Sequence, residues 1–207
     1  MRPWGVIVAG GSGARFGRPK QFECLRGRRV IDWSIESLRQ ACGGVVVVVP
    51  ADAIDDGYER ADAVVVGGAD RSASVRSGLA ALPTDATHVL VHDGARPLAT
   101  AELAARVVAA LAAGAEAVVP VVPVVDSLRT TASEPVDRTG YVAVQTPQGF
   151  AVESLRTAHA AGLSATDDAT LFHELGVPVV HVDGESTNLK ITDPHDLAVA
   201  EVLFDAR

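Results

Sequence analysis

The chain has 207 residues, enough for one domain with a substantial core, and no Pro- or Ser-rich linker divides it. Its composition is 48% apolar and only 4% aromatic, rich in Ala and Val, which predicts close packing of helices on a sheet by small side chains. A formal net charge of −8 excludes broad nucleic-acid or acidic-membrane binding, because both need an extended basic surface.

Residues 6–9 read as a first strand, apolar throughout and therefore buried on both faces, as in a parallel sheet. The strand runs into V-I-V-A-G-G-S-G-A-R-F-G-R-P-K over residues 6–20, a glycine-rich turn that delivers Arg15, Arg18 and Lys20. Gly10, Gly11, Gly13 and Gly17 have no Cβ, so the backbone N–H groups there can close on phosphate oxygens while the cations neutralise charge. The spacing misses the dinucleotide fingerprint by one residue, and Lys20 is outside the P-loop frame. Taken alone, the loop reads equally as a plain strand-to-helix turn with solvated arginines.

A helical pattern follows through Val30, Trp33, Ile35, Leu38 and Cys42, ended by Gly43-Gly44, and then a strand over 45–49 closed by Pro50. Another short strand over 63–66 leads to Gly67-Gly68-Ala69-Asp70-Arg71, and Ser72 or Ser74 is the expected cap of a helix through Val75, Leu79 and Leu82. A fourth strand over 89–92 feeds Asp93-Gly94-Ala95-Arg96-Pro97, which puts a carboxylate and a guanidinium at a strand's carboxyl end, the edge where open α/β sheets bind ligands. The Ala-rich stretch 100–113 reads as a helix capped by Thr100, followed by a buried strand over 117–122.

From 124 to 146 the β–α alternation breaks, with β-branched ends around a polar centre, and this predicts a projecting β-hairpin arm. Such an arm is marginal alone, so pairing with a second subunit is expected to cover it. Thr146-Pro147-Gln148-Gly149-Phe150 returns the chain to the core, a helix spans 152–161, and Thr166-Asp167-Asp168 starts another. A strand over 179–182, a short strand over 188–191 carrying Lys190, and a helix over 194–204 capped by Thr192 or Asp193 complete the chain. The whole predicts one α/β domain, 1–207, with a mostly parallel sheet in three layers.

The chemistry-bearing residues are sparse. Only Lys20 and Lys190 among the 18 basic residues are lysine, and Asn188 is the only asparagine. In a chain that otherwise uses arginine, such lysines mark places that need a compact ammonium. Cys24 and Cys42 have neither metal-ligand nor CxxC spacing, and the six histidines share no metal spacing. The N-terminus shows no signal-peptide pattern and no apolar run is long enough for a bilayer, so a cytoplasmic protein without membrane contact is expected.

Together, A-G-G-S-G-A-R-F-G…P-K-Q, V-H-D-G-A-R-P, V-D-R-T-G and N-L-K-I-T-D-P-H-D-L, in that order, closely resemble the 2-C-methyl-D-erythritol 4-phosphate cytidylyltransferases of the non-mevalonate isoprenoid pathway. The resemblance implies a Rossmann-like nucleotidyltransferase fold, with CTP and the methylerythritol phosphate as substrates, Mg²⁺ bound mainly through the CTP phosphates, and a homodimer joined by the 124–146 arm. It further implies that Ala9, Gly10, Gly11 and Gly13 with Arg15 and Lys20 hold the triphosphate, and that Gly68, Ala69, Ser74, Asp93 and Gly94 flank cytosine and ribose. Asp93, Arg96, Ser127, Arg138, Thr146, Thr166 and Lys190 would take the polyol phosphate, Arg138 from the neighbouring subunit. Arg15, Lys20, Arg138 and Lys190 would be the catalytic cations. Asp93 also reads as a plain partner of Arg96, and Thr166 as a helix cap. Ala69, where relatives often carry an acidic residue, and Ser127, where threonine is common, depart from the pattern. No fused second enzyme domain is expected. Competing readings are a ribitol 5-phosphate cytidylyltransferase and a non-catalytic nucleotide-binding module.

Overall fold

A computed structural model describes residues 3–11, 13, 15–161 and 167–206. The first half alternates as expected apart from a two-stranded ladder that was not anticipated, β2 (Cys24–Leu25) with β3 (Arg28–Arg29): β1 (Pro3–Val8) precedes it, and α1 (Val30–Ala41), β4 (Gly44–Val49), β5 (Ala63–Val66), α2 (Arg71–Ala80), β6 (His88–Asp93) and α3 (Ala101–Ala112) follow. The second half holds β7 (Ala117–Pro123), β8 (Leu128–Arg129), β9 (Pro135–Val136), β10 (Val142–Val144), β11 (Gln148–Ala151), α4 (Val152–Ala160), α5 (Asp168–Glu174), β12 (Val179–Asp183) and α6 (Pro194–Asp205).

β5, β4, β1 and β6 lie side by side and parallel, with β1 Val8 opposite Val48 on one side and Asp93 on the other. Their carboxyl ends therefore share one edge, where the glycine loop, the Gly67–Asp70 turn and the Asp93–Arg96 turn all emerge. β11 pairs antiparallel with both β6 and β7, and β12 runs parallel to β7. The strand parity sorts the core into two faces. Val6, Val46, Val48, Val89, Val91 and Phe150 pack with α2, α4 and α5, whereas Ile7, Val45, Val47, Leu90 and Val118 pack with α1 and α3. Both faces are covered, which gives the expected three layers. A third cluster under the glycine loop joins Phe16, Leu25, Leu98, Ile191 and α6, where Trp33 and Phe204 stand 4.6 Å apart centre to centre.

Several local expectations change. Asp70, not Ser72 or Ser74, caps α2 by accepting from Ala73 N, because it is the residue that stays extended at the helix start. Residues 188–191 form no strand: the backbone of the segment meets that of the Asp93–Arg96 turn through Ile191 N donating to Ala95 O at 2.9 Å, one backbone bond rather than a ladder. β11 sits inside the sheet where a connecting segment was expected. Gly149 permits this, since a Cβ there would lie 2.4 Å from Val107 Cγ1 on α3. Within the arm, β8 and β9 pair with each other, and β10 returns along β7 at Val121–Pro123. The arm exposes Val125 and Tyr141, and β10 exposes Val142 and Val144.

Candidate active site

Where β1, β5 and β6 end, the three turns enclose a cleft of about 540 Å³. One wall is the glycine loop with Ala9, Gly10, Gly11, Gly13, Arg15 and Lys20; the facing wall carries Gly68, Ala69, Asp70 and Ser74; Asp93, Gly94 and Lys190 lie between them. The loop is shaped from behind by Gln21, whose buried amide donates to Ala9 O at 2.7 Å and Gly11 O at 3.0 Å. Gly13 adopts φ +68°, and a Cβ there would stand 1.9 Å from Arg18 O, so only glycine fits. On the facing wall the Ser74 hydroxyl accepts from Gly68 N at 3.2 Å and donates to Asp70 O at 2.9 Å, fixing the turn rather than pointing a free group at the cleft.

The floor is a charge cluster. Asp93 Oδ2 pairs with Lys190 Nζ at 2.8 Å and faces Arg96 Nε at 3.6 Å, while Oδ1 faces Arg71 Nε at 3.6 Å. Burial alone would raise the Asp93 pKa, but the charges of Lys190, Arg71 and Arg96 outweigh it and hold the carboxyl well below the usual range. Beneath it, the Thr146 hydroxyl accepts from Asp93 N at 3.1 Å and meets His92 Nδ1 at 2.9 Å, while His92 Nε2 lies 3.2 Å from Arg96 O. Burial pushes the His92 imidazole down to about 4, so it is neutral and hydrogen-bonded at both nitrogens. Asn188 ties the Lys190 segment to this floor: its side-chain amide donates to Thr146 O at 2.9 Å and its backbone carbonyl accepts from Arg96 Nη1 at 2.8 Å.

Lys20 lies outside these ion pairs. Burial first, then the nearby charges of Lys190 and Arg15, lower its pKa. Neither Lys20 nor Arg15 has an ion-pair partner among the described residues. This cleft is built to receive anions. Among the described residues, His92 is engaged on both sides, Asp93 is held ionised among cations and Asp70 caps α2, so none of the three stands as a free base.

Ten of the expected nucleotide residues (Ala9, Gly10, Gly11, Gly13, Arg15, Gly68, Ala69, Ser74, Asp93 and Gly94) thus line one cleft with Lys20 and Lys190. Arg96 and Thr146 support its floor. Ser127 and Arg138 lie exposed on the arm, outside the cleft of their own chain, and the Arg138 guanidinium donates to Val125 O. Thr166 lies outside the described residues. Gln21, Arg71 and His92 were not anticipated as site residues. Gln21 was visible in P-K-Q and Arg71 in the turn before α2, but only the fold reveals what they touch.

The family model for 2-C-methyl-D-erythritol 4-phosphate cytidylyltransferase (IspD) matches residues 4–206. The chain belongs to this family. It is 43% identical to the 2-C-methyl-D-erythritol 4-phosphate cytidylyltransferase of Nocardia farcinica, over 98% of this chain and 94% of that protein. With the enzyme of the same name from Prochlorococcus marinus it shares 41% identity, over 98% of each chain. The crystal structure of the Thermus thermophilus 2-C-methyl-D-erythritol 4-phosphate cytidylyltransferase superposes with a TM-score of 0.85 at 39% identity, covering 97% of this chain and 98% of that one. Membership makes this chain a nucleotidyltransferase of an isoprenoid-pathway family.

Proposed function

We propose that this chain transfers the cytidylyl group of CTP to 2-C-methyl-D-erythritol 4-phosphate, giving 4-CDP-2-C-methyl-D-erythritol and pyrophosphate. The observation that carries the reading is the single cleft in which the glycine loop, with Arg15 and Lys20, faces Asp93 and Lys190. A phosphate oxygen of the polyol attacks the α-phosphorus of CTP in line; the new P–O bond forms as the bond to the bridging oxygen of pyrophosphate breaks. The nucleophile is already anionic, so no proton need be abstracted, and the engagement of His92, Asp93 and Asp70 by their neighbours suits this chemistry. Catalysis then rests on alignment and on stabilising the charge of the five-coordinate α-phosphate.

In this reading the backbone from Ala9 to Gly13 with Arg15 and Lys20 holds the triphosphate, and the two cations stabilise the transition state. Gly68, Ala69, Ser74, Asp93 and Gly94 flank cytosine and ribose. Lys190, Arg96 and Asp93, with Thr146, Thr166 and Ser127, form the polyol phosphate pocket. Arg138 completes it from a second copy of the chain, which makes the 124–146 arm a dimerisation device. Its exposed Val125 and Tyr141 are the kind of side chains such a contact would cover.

A divalent cation, Mg²⁺, belongs to the same reading. Among the described residues no group of three or more His, Cys, Asp or Glu side chains is arranged to hold a metal, and Asp93 is already surrounded by cations. The donor set therefore fits an ion carried on the CTP phosphates, where it would supply charge neutralisation. No helix among the described residues is long and apolar enough to cross a membrane, and we infer a cytoplasmic enzyme. The test is pyrophosphate release on incubation with CTP and either methylerythritol phosphate or ribitol 5-phosphate. Turnover with the former is expected; turnover with ribitol phosphate alone would overturn the substrate assignment.

A further inference from the structure

One buried charge network borders the cleft without belonging to any role given above. Arg71 opens α2 and lines the cleft wall, with its side chain partly exposed there. Its Nη1 donates to Asp168 Oδ2 at 2.6 Å, and Asp168 Oδ1 pairs with His159 Nε2 on α4 at 3.0 Å. Asp168 is 1% exposed and His159 is 8% exposed. The other edge of the same guanidinium reaches Asp93 Oδ1, opposite the oxygen that pairs with Lys190. Arg71 thus spans two carboxylates, one in the cleft and one behind it.

We propose that Arg71 is a positioning residue for the transfer reaction: anchored from behind by the Asp168–His159 pair, it fixes the carboxylate of Asp93 and, through it, the ammonium of Lys190. The inference rests on the reaction proposed above. A planar guanidinium presents donors on two fixed edges and can hold both carboxylates at once in a set geometry, whereas an ammonium is a rotatable point charge that fixes neither orientation. A carboxylate pulled by Lys190 and Arg96 on one oxygen alone would rotate toward them. Arg71 on the other oxygen opposes that rotation and keeps the Lys190 head group at a defined place for an incoming phosphate. The buried pair behind it gives Arg71 a fixed anchor, because Asp168 starts α5 and receives hydrogen bonds from two other elements.

The test is a mutant cycle on Arg71 and Asp168, with thermal midpoints measured beside kinetics. Arg71→Lys keeps a cation beside Asp168 and should leave the midpoint close to that of the wild type. Its kcat/KM for methylerythritol phosphate should nevertheless fall by about 10²-fold, the scale of a misplaced reacting group, while the KM for CTP moves by less than about threefold. Arg71→Gln, which removes the charge and the fork, should give the same kinetic result without relying on a lysine. Adding Asp168→Asn to Arg71→Gln should cost little more, since residues acting through one another are not additive.

Specific activity within about twofold of the wild type in both Arg71 variants, or losses that multiply in the double variant, would overturn the proposal. Product formation by the wild type tests the reaction itself and separately. If the wild type forms no CDP-linked product, the reaction assignment falls, and crystal structures of the Arg71 variants then decide the inference by whether the Asp93–Lys190 pair persists in place.

Discussion

The floor and the rim of the cleft handle positive charge in opposite ways. On the floor, Lys190, Arg96 and Arg71 converge on Asp93, and Arg71 also meets Asp168, so their charges are largely but not wholly offset before any ligand arrives. On the rim, Lys20 is partly buried beside Arg15 and within reach of Lys190, and its protonated form is penalised by both burial and those neighbours. The difference assigns the two regions different work. A triphosphate entering the rim relieves a repulsion that the folded chain maintains, whereas a phosphate reaching the floor must share Lys190 with Asp93. Electrostatic stabilisation of the reacting phosphorus should therefore come mainly from the rim, and placement of the nucleophile from the floor.

The largest expected effect follows from that division. Lys20→Ala should lower kcat by roughly 10²–10³-fold, the loss typical of one preorganised donor to developing charge, with pyrophosphate release as the readout. Lys190→Ala should act chiefly on the KM for methylerythritol phosphate, because Arg71 and Arg96 still hold Asp93. If Lys190→Ala instead matches Lys20→Ala in kcat at saturating substrate, the division between rim and floor fails.

A third corner of the site is testable with the same variant. If Arg138 reaches the partner's cleft, mixing Arg138→Ala with Lys20→Ala leaves one intact cleft in each heterodimer. An equal mixture should then recover roughly a quarter of wild-type activity, given two-fold symmetric exchange. No recovery after verified subunit exchange would return Arg138 to its own chain.

The rim's backbone makes a smaller, sharper contrast. Gly13→Ala forces a side chain into φ +68° and against Arg18 O, so the KM for CTP should rise by roughly ten- to a hundredfold, the equivalent of one or two strained contacts. Gly11 has open space around it and no positive φ. Gly11→Ala should therefore leave the loop conformation intact, and any loss of CTP affinity there reports close backbone approach to phosphate. Equal effects at both positions would indicate general loss of the loop rather than a shaped one.

Much of this was legible in the sequence, and the remainder failed for identifiable reasons. The apolar runs of β1, β4 and β6 announce a parallel sheet buried on both faces, and the turns that follow them announce where a ligand binds. Lys20 and Lys190 stood out by rarity. β11 did not, because Gln-Gly-Phe-Ala offers neither alternation nor a β-branched run; its place depends on Gly149 making room for α3. The 188–191 segment looked like a strand because Leu189 and Ile191 are apolar. In the fold those side chains serve the cluster beneath the glycine loop instead of a sheet. Arg71 carried no signal beyond a helix start, since its meaning lies in Asp168, ninety-seven residues away.

The smallest expected effect probes what lies under the floor. His92 is buried beside Asp93, with Arg96 and Lys190 as the nearby cations, and its pKa is pushed down from 6.5 to about 4. A histidine depressed in the folded state binds its proton more readily in the unfolded chain between those values, so folding stability falls as the pH drops through that window. Relative to about pH 7.5, this residue should cost the wild type about 1 kcal/mol of stability by about pH 5.5. His92→Gln, which cannot take up the proton, should lower stability at neutral pH by disturbing the Thr146 and Arg96 contacts, yet lose less on acidification. The measurement is the shift of urea midpoints between the two pH values, in which the other histidines contribute equally to both proteins. An identical shift in wild type and variant would mean that His92 does not titrate against folding. The floor would then owe its acid sensitivity to Asp93 and Asp168, whose depressed carboxyls act only as the pH falls through and below the ordinary carboxylate range near 3.8.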